Sequence, residues 1–514
     1  MRACAESEEM SRLTRNILYN LFGQGLLLVL SFVAVKFIFK QLGQDALGII
    51  YFTFTLNALL TALLALGINE TTVREVAAFH EEDPAYIRRL LQTASFFYWS
   101  LYLLAAAVLW ATAHWLVTKW INLDTLNPSS ATLVLRLLGT ATLLALPRSL
   151  CASILRGIQR MEFTNLIDVG ASALQQFGAI VVLFLGGGLI QVTLWMAACY
   201  LLGLAFYLAV CARFFGGRAF IPRLWTSVID RNAGFTFKLA GITIFSIIHT
   251  QSDKAIVSKL LSLGVFGYYG MAYSAVARGM LVTSSISQAV FPSFSALYKQ
   301  GDHEGLRRQY DKVQDLLCYA VVPLFAAIPF AARPLFTFAL NAQAARMLLW
   351  PVTFLCVGFC MNGTLAIPYV FSLAVGKPEF AARSNYYALF AVLPVTALLV
   401  YKFGIAGAGF SWIFYHLFTY AYLVPLLCSE CLGMPVWRWF LHVFKVFGLA
   451  ALTYGGAWAI IALVGPFSVL LLALGYAFAS VAFAAVAYRL IGEELRSTLR
   501  RLTFLRPAPA SITP

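Results

Sequence analysis

The sequence predicts an all-α polytopic membrane protein of about 14 transmembrane helices. It further predicts two six-helix lobes related by a pseudo-two-fold axis, followed by two C-terminal helices. Three observations carry this. Of 514 residues, 61% are hydrophobic and 11% are charged, where a soluble domain has about a quarter charged. The apolar residues fall in runs of about 20, the length that crosses a hydrocarbon core of about 30 Å as a helix, with backbone hydrogen bonds satisfied internally. Short motifs also recur at a fixed offset along the chain.

The runs place spans at 17–39, 46–68, 91–113, 132–154, 166–187, 189–212, 236–260, 265–289, 315–340, 348–373, 384–402, 405–428, 442–464 and 467–489. The run after "MRACAESEEMSRLTRN" is too long for a signal-peptide core and has no small-residue cleavage pattern, so it reads as a retained anchor. With the N-terminus inside, the inner segments hold 23 Lys and Arg and the outer loops 5. The positive-inside rule then puts both termini in the cytoplasm. The same rule accounts for the net charge of +15 without nucleic acid as a partner. The inner loops, such as "NETTVREVAAFHEEDPAYIRR" and "YKQGDHEGLRRQYDK", are the longer ones. None is long enough for a soluble catalytic domain, which favours a transporter over an enzyme. The one sizeable outer loop, Ala113 to Ser130, has Asp124 as its sole carboxylate.

Gly48 in "QLGQDALGIIYF" and Gly267 in "LLSLGVFGYYGMA" are 219 residues apart, as are Gly157 in "ILRGIQRMEF" and Gly376 in "LAVGKPEF". A duplication of six spans follows: residues 1–212 as one lobe, 213–430 as the second, and 431–514 as two further helices with a tail. Because six is even, both halves enter the membrane the same way. In such transporters substrate sites lie between the halves. The cysteines, the C-x-x-C at Cys428 and Cys431 included, read as small hydrophobes, and no metal or cofactor is expected. "GGG" at Gly186–Gly188 is a turn, and "GIAGAGF" at Gly404–Phe410 lacks the strand a nucleotide motif requires.

Lys and Arg at bilayer depth cost about 3 kcal/mol on insertion scales, so position decides which need a reason. Lys238, Lys445, Arg489, Lys36 and Arg333 lie near span ends and can snorkel. Arg278 is near the centre of its span. Arg148 is deep in span 4 just after Pro147, which loosens the helix ladder and can bend it. Lys238 and Lys259 bracket span 7, about 31 Å apart at 1.5 Å per residue. That puts His249 close to the midplane, with Asp253 one turn on along the same face. Ser246, His249, Thr250 and Asp253 form one polar stripe, Ser274 and Arg278 a second, Asn16, Asn20 and Gln24 a third, and Thr53, Asn57 and Thr61 a fourth. Such stripes either join helices or line a water-filled cavity. Asp253 has a structural alternative as partner of Lys254 or Arg278. Arg148, Lys254 and Arg278 outnumber Asp253, the one clear mid-span anion. A net basic cavity favours an anionic ligand, because arginine matches phosphate with a charge-assisted fork.

The opening "RNILYNLFGQGLLLVLSFVAVKFIFKQLGQDALGIIYF", the seventh-span "QSDKAIVSKLLSLGVFGYYGMAYS" and the late "GIAGAGFSWI" resemble the polysaccharide-flippase branch of the multidrug/oligosaccharidyl-lipid/polysaccharide superfamily. The resemblance implies two six-helix lobes around a central cavity, alternating access, and a lipid-linked oligosaccharide as cargo moved from the inner to the outer leaflet. On that reading the chain is no enzyme and sits as a monomer in the inner membrane, with membrane lipids and polysaccharide-assembly proteins as partners. Arg278, Arg148, Lys254, His249, Asp253, Asn20 and Gln24 are the candidate substrate-binding residues. Lipid tails pass between the lobes or along a groove near spans 13 and 14. A lipid II-type flippase fits the same features with different cargo. A cation-coupled drug exporter fits them less well, because it needs acidic residues that are scarce here. Coupling to a proton or a sodium gradient is open, with His249 beside Asp253 as the candidate relay.

Overall fold

The computed structural model describes residues 25–65, 67–465 and 468–497. Asn20 and Gln24 lie outside the described residues, and so does the side chain of His249. The chain is all-helical: among the described residues the only strand-like feature is an isolated bridge between Asn122 and Ser262. Among the described residues twelve helices are long and apolar enough to cross a membrane. One of them, Ala382–Leu432, covers both segments that the sequence separates at 384–402 and 405–428, and Gly404, with φ 59° and ψ −138°, breaks the helix between them. The helix over the seventh expected span, Thr226–Leu260, is not among the twelve.

Contacts divide the chain into two compact units. Unit 1 holds residues up to Met271 together with Phe338–Asn341. Its helices are α1 (Gly25–Leu42), α2 (Gln44–Leu64), α3 (Ile68–Phe79), α4 (Pro84–Trp115), α5 (Pro128–Leu143), α6 (Ala145–Gly157), α7 (Met161–Phe184), α8 (Leu189–Phe215), α9 (Thr226–Leu260) and the first part of α10 (Leu263–Ala277). Unit 2 holds Ala272–Thr337 and the chain from Ala342 onward, with α11 (Met280–Gln300), α12 (His303–Ala339), α13 (Ala342–Ala374), α14 (Glu379–Leu427), α15 (Val436–Ala450), α16 (Gly456–Val464) and α17 (Val469–Leu490). The division follows packing and falls inside α10, whereas the repeat boundary read from the sequence falls near residue 212.

Local chemistry sets the helix ends. Asp83 caps α4, its carboxylate accepting from Tyr86 N at 2.8 Å, with Pro84 in the first turn, where a missing N–H costs nothing. Ser468 caps α17 in the same way. Span 4 is broken: α5 ends at Leu143 and α6 starts at Ala145. Pro147 explains the break, since it offers no N–H to the Leu143 carbonyl and its ring crowds that oxygen. The polar loop expected around residues 69–90 instead contains α3, which buries Thr72 and Val76.

In unit 1 the two glycines related by the 219-residue offset meet. A Cβ on Gly267 would lie 2.8 Å from Gly48 Cα, and one on Gly48 would run into the Leu263 carbonyl oxygen. Only glycine lets α2 and α10 approach so closely, as small residues do in membrane helix packing. Around this crossing Phe52 meets Phe266 edge-on at 6.0 Å and Tyr268 OH donates to Gln44 Oε1 at 3.0 Å. Asp45, 1% exposed, accepts the backbone N–H groups of Asp124, Thr125 and Leu126 at 2.6–3.0 Å. It thereby fastens the 121–127 segment to the start of α2. Gly267→Ala should cost about 1–3 kcal/mol by overpacking, read as a lower unfolding midpoint in detergent. Gly25→Ala, where no neighbouring atom lies within 4 Å, should leave that midpoint unchanged.

Candidate functional site

The mid-span charges Asp253, Lys254, Arg148 and Arg278 each have a specific setting. Asp253 and Lys254 are 3% and 4% exposed. Lys254 Nζ donates to Asp253 Oδ1 at 3.1 Å and to the Thr250 carbonyl at 2.7 Å. Tyr269 OH donates to Asp253 Oδ2 at 2.6 Å. Burying either ion alone would be prohibitive, so the pair and the tyrosine make burial feasible while joining α9 to α10. Of the two alternatives for Asp253, the bond to Lys254 is therefore present. Lys259, which with Lys238 brackets the seventh expected span, donates to the Lys119 carbonyl at 2.7 Å.

Arg148 projects from α6, just past the proline break. Its Nη2 forms an ion pair with Asp168 Oδ1 of α7, and Tyr207 OH of α8 donates to the same oxygen at 2.6 Å. The guanidinium lies 5.4 Å from the centre of the Tyr207 ring, in cation–π range. Asp168 remains 45% exposed in this trio. Two of the three mid-span cations are thus balanced by a carboxylate inside unit 1. The excess positive charge inferred from the sequence is smaller than a count of Lys and Arg suggests.

Arg278 occupies an interruption in its span. α10 ends at Ala277 and α11 begins at Met280. Across the gap Gly279 N bonds the Val276 carbonyl at 3.0 Å and Leu281 N bonds the Arg278 carbonyl at 3.2 Å. These are bonds to the third residue back, the tighter helical form that often marks a hinge. Gly279 admits the neighbouring helix: a Cβ there would be 2.7 Å from Phe325 Cε1. The Arg278 side chain is half-buried. In α11 Thr283 and Ser287 follow at helical spacing, both buried.

Three groups escaped sequence reasoning. Glu75, 4% exposed, gathers Arg74 at 2.6 Å, Arg231 at 3.4 Å and Tyr86 OH at 2.7 Å. His416 and Asn362 meet in unit 2 at 3.0 Å. An apolar cavity of about 330 Å³ lies beside α15, lined by Phe330, Trp350, Val357, Phe447 and Tyr454. The backbone there widens to a π-helix at Ala451–Gly455. A screen of all ionisable residues inside apolar runs, not of Lys and Arg alone, would have found His416. Glu75 needed the fold, because its loop reads as ordinary charged surface.

The helices define a multi-pass membrane protein, and the charges held within them fit a transporter. The chain belongs to the family described as polysaccharide biosynthesis protein, which matches residues 40–347. It is 22% identical over 419 residues to the "Putative O-antigen transporter" of Shigella flexneri, covering 77% of this chain and 93% of that protein. Among solved structures it resembles the lipid II flippase MurJ in an inward closed conformation, with TM-score 0.71, 12% identity, and 92% and 99% of the two chains covered. It also resembles an inward-facing multidrug resistance MATE transporter of the MOP superfamily, with TM-score 0.65, 12% identity and 82% and 95% coverage. The fold is the one that these transporters share.

The buried pair gives a direct test. Asp253→Asn should destabilise unit 1 by about 3–5 kcal/mol, because it strands a buried ammonium. The double variant Asp253→Asn/Lys254→Met should recover much of that loss in the same denaturation assay.

Proposed function

We propose that this protein flips an anionic, polyprenyl-pyrophosphate-linked oligosaccharide from the inner to the outer leaflet of the cytoplasmic membrane by alternating access, for assembly of a surface polysaccharide. Both termini face the cytoplasm in this reading. The observation that carries it is Arg278 at the interrupted centre of a span, in a chain of the polysaccharide biosynthesis family. A broken helix inside a membrane is tolerated where it lines a cavity or is packed in protein. Transporters use such breaks to present polar groups to substrate. A guanidinium offers a phosphate two parallel donors. The name of the Shigella flexneri relative supports a sugar cargo, and the apolar cavity beside α15 supports a place for the isoprenoid tail.

In the same reading Arg148 and the more exposed Asp168 are the polar pair that meets sugar hydroxyls. Asp253 and Lys254 contribute by holding α9, and His249, Asn20 and Gln24 remain candidates for the polar lining. The likeness to the lipid II flippase extends to fold. A lipid II cargo would place the same demand on Arg278, so the sugar and not the phosphate separates the two readings.

Replacing Arg278 with Ala should reduce surface polysaccharide by about 10- to 100-fold, matching loss of one charged hydrogen-bonding group worth about 1.5–3 kcal/mol. Membrane insertion, followed by quantitative immunoblot, should be unchanged, and Arg278→Lys should retain intermediate export. Full export by the alanine variant would defeat the assignment.

A further inference from the structure

Unit 2 holds an ionisable group that the reading above does not use. His416 of α14 is 1% exposed. Its Nδ1 lies 2.7 Å from the Trp412 carbonyl, which can only accept, so Nδ1 carries a proton. Its Nε2 lies 3.0 Å from Asn362 Nδ2 of α13, which can only donate, so Nε2 accepts. The ring is the neutral Nδ1–H tautomer.

This arrangement can take a second proton without moving the backbone. The Nε2 lone pair binds it and becomes N–H. A half-turn of the Asn362 amide then replaces its N–H donor by Oδ1, which accepts from the new N–H. The bond from Nδ1–H to Trp412 stays in place. Asn362 is itself only half-buried, so the amide that must turn has room to do so.

Polar groups approach the site from one side. One turn along α14, Tyr420 OH and Thr364 Oγ1 are 2.5 Å apart, and Gln314 Nε2 donates to the Thr364 carbonyl at 2.9 Å. Gln314 in turn lines a cavity of about 360 Å³ with Asp311, Asp315, Arg438 and His442. On the other side stands a stack of rings. Trp412 lies 4.6 Å from Phe359, Phe359 lies 6.1 Å from Phe325, and Phe325 abuts Gly279. The carbonyl that holds the histidine therefore belongs to a residue whose packing reaches the break at Arg278–Gly279. The titratable groups nearby are Tyr415, with ring centres 4.8 Å apart, Tyr420, and Cys318 of α12 and Cys360 of α13, which bear on Tyr420. Among the described residues no charged side chain bears on His416.

We propose that His416 and Asn362 form a proton-binding site that couples a proton gradient to the transport cycle, which rests on the flippase reading above. A charged imidazole among apolar rings is favoured by whichever transport state hydrates Asn362. A ligand shifts an equilibrium only through such differential affinity. The ring stack gives that shift a packed route to the interrupted helix.

The test uses the full chain in lipid nanodiscs with ring-¹⁵N histidine. The resonance of His416, identified by its loss in His416→Gln, should pass from the Nδ1–H tautomer toward imidazolium as the pH falls from about 8 to about 4. In Asn362→Leu, which has no acceptor, it should stay neutral over that range. In cells that rely on this chain, each variant should lower polysaccharide export at least tenfold. Collapsing the proton gradient should depress wild-type export and leave that of His416→Gln unchanged. A histidine that stays neutral throughout overturns the proposal, as does a His416→Gln chain that exports at the wild-type rate, or wild-type export that follows sodium and ignores protons. The titration needs no cargo, so a chain that titrates but exports no polysaccharide defeats the flippase reading instead.

Discussion

A charge inside a hydrocarbon layer has to be answered by another charge or by strong dipoles, and most of what is distinctive in this protein follows from that demand. Asp253 and Lys254 are neighbours in sequence and nearly completely buried. They neutralise each other and borrow Tyr269 and the Thr250 carbonyl for the remaining bonds. The requirement ties α9 to α10 more tightly than apolar packing would, because sliding either helix would strip the Tyr269 hydroxyl from the buried Asp253 carboxylate. Arg148 is answered by Asp168 and Tyr207, and Glu75 by Arg74 and Arg231.

The spans were legible because they rest on composition, and a run of about 20 apolar residues has few other fates. Pro147 next to Arg148 correctly located a bend, since the steric rule for proline acts over four residues and needs no tertiary information. Charge balance was harder. Asp168 stands near one end of its span and Arg148 sits in another helix, so their pairing depends on how α6, α7 and α8 pack, which periodicity does not encode. The interruption at Arg278–Gly279 has no proline to announce it. There Gly279 packs against Phe325, 46 positions later in the chain, a contact that periodicity does not encode.

The loops were misjudged for a related reason. "NETTVREVAAF" looks polar by composition, yet its apolar residues recur at helical spacing, and α3 buries Val76 in the core of unit 1. A buried Glu75 within that helix could be anticipated only by knowing that Arg231, more than 150 residues away, would reach it.

The meeting of Gly48 and Gly267 bears on ancestry as well as packing. In an isologous dimer, a residue that touches its own counterpart in the other subunit lies on the two-fold axis. Positions separated by the repeat offset that touch within one chain are what fusion of such a dimer would leave behind. On such a fusion, the glycine crossing would be the seam at which two separate polypeptides once faced each other. Substitution of either glycine would then be constrained from both sides, before the fusion as after it.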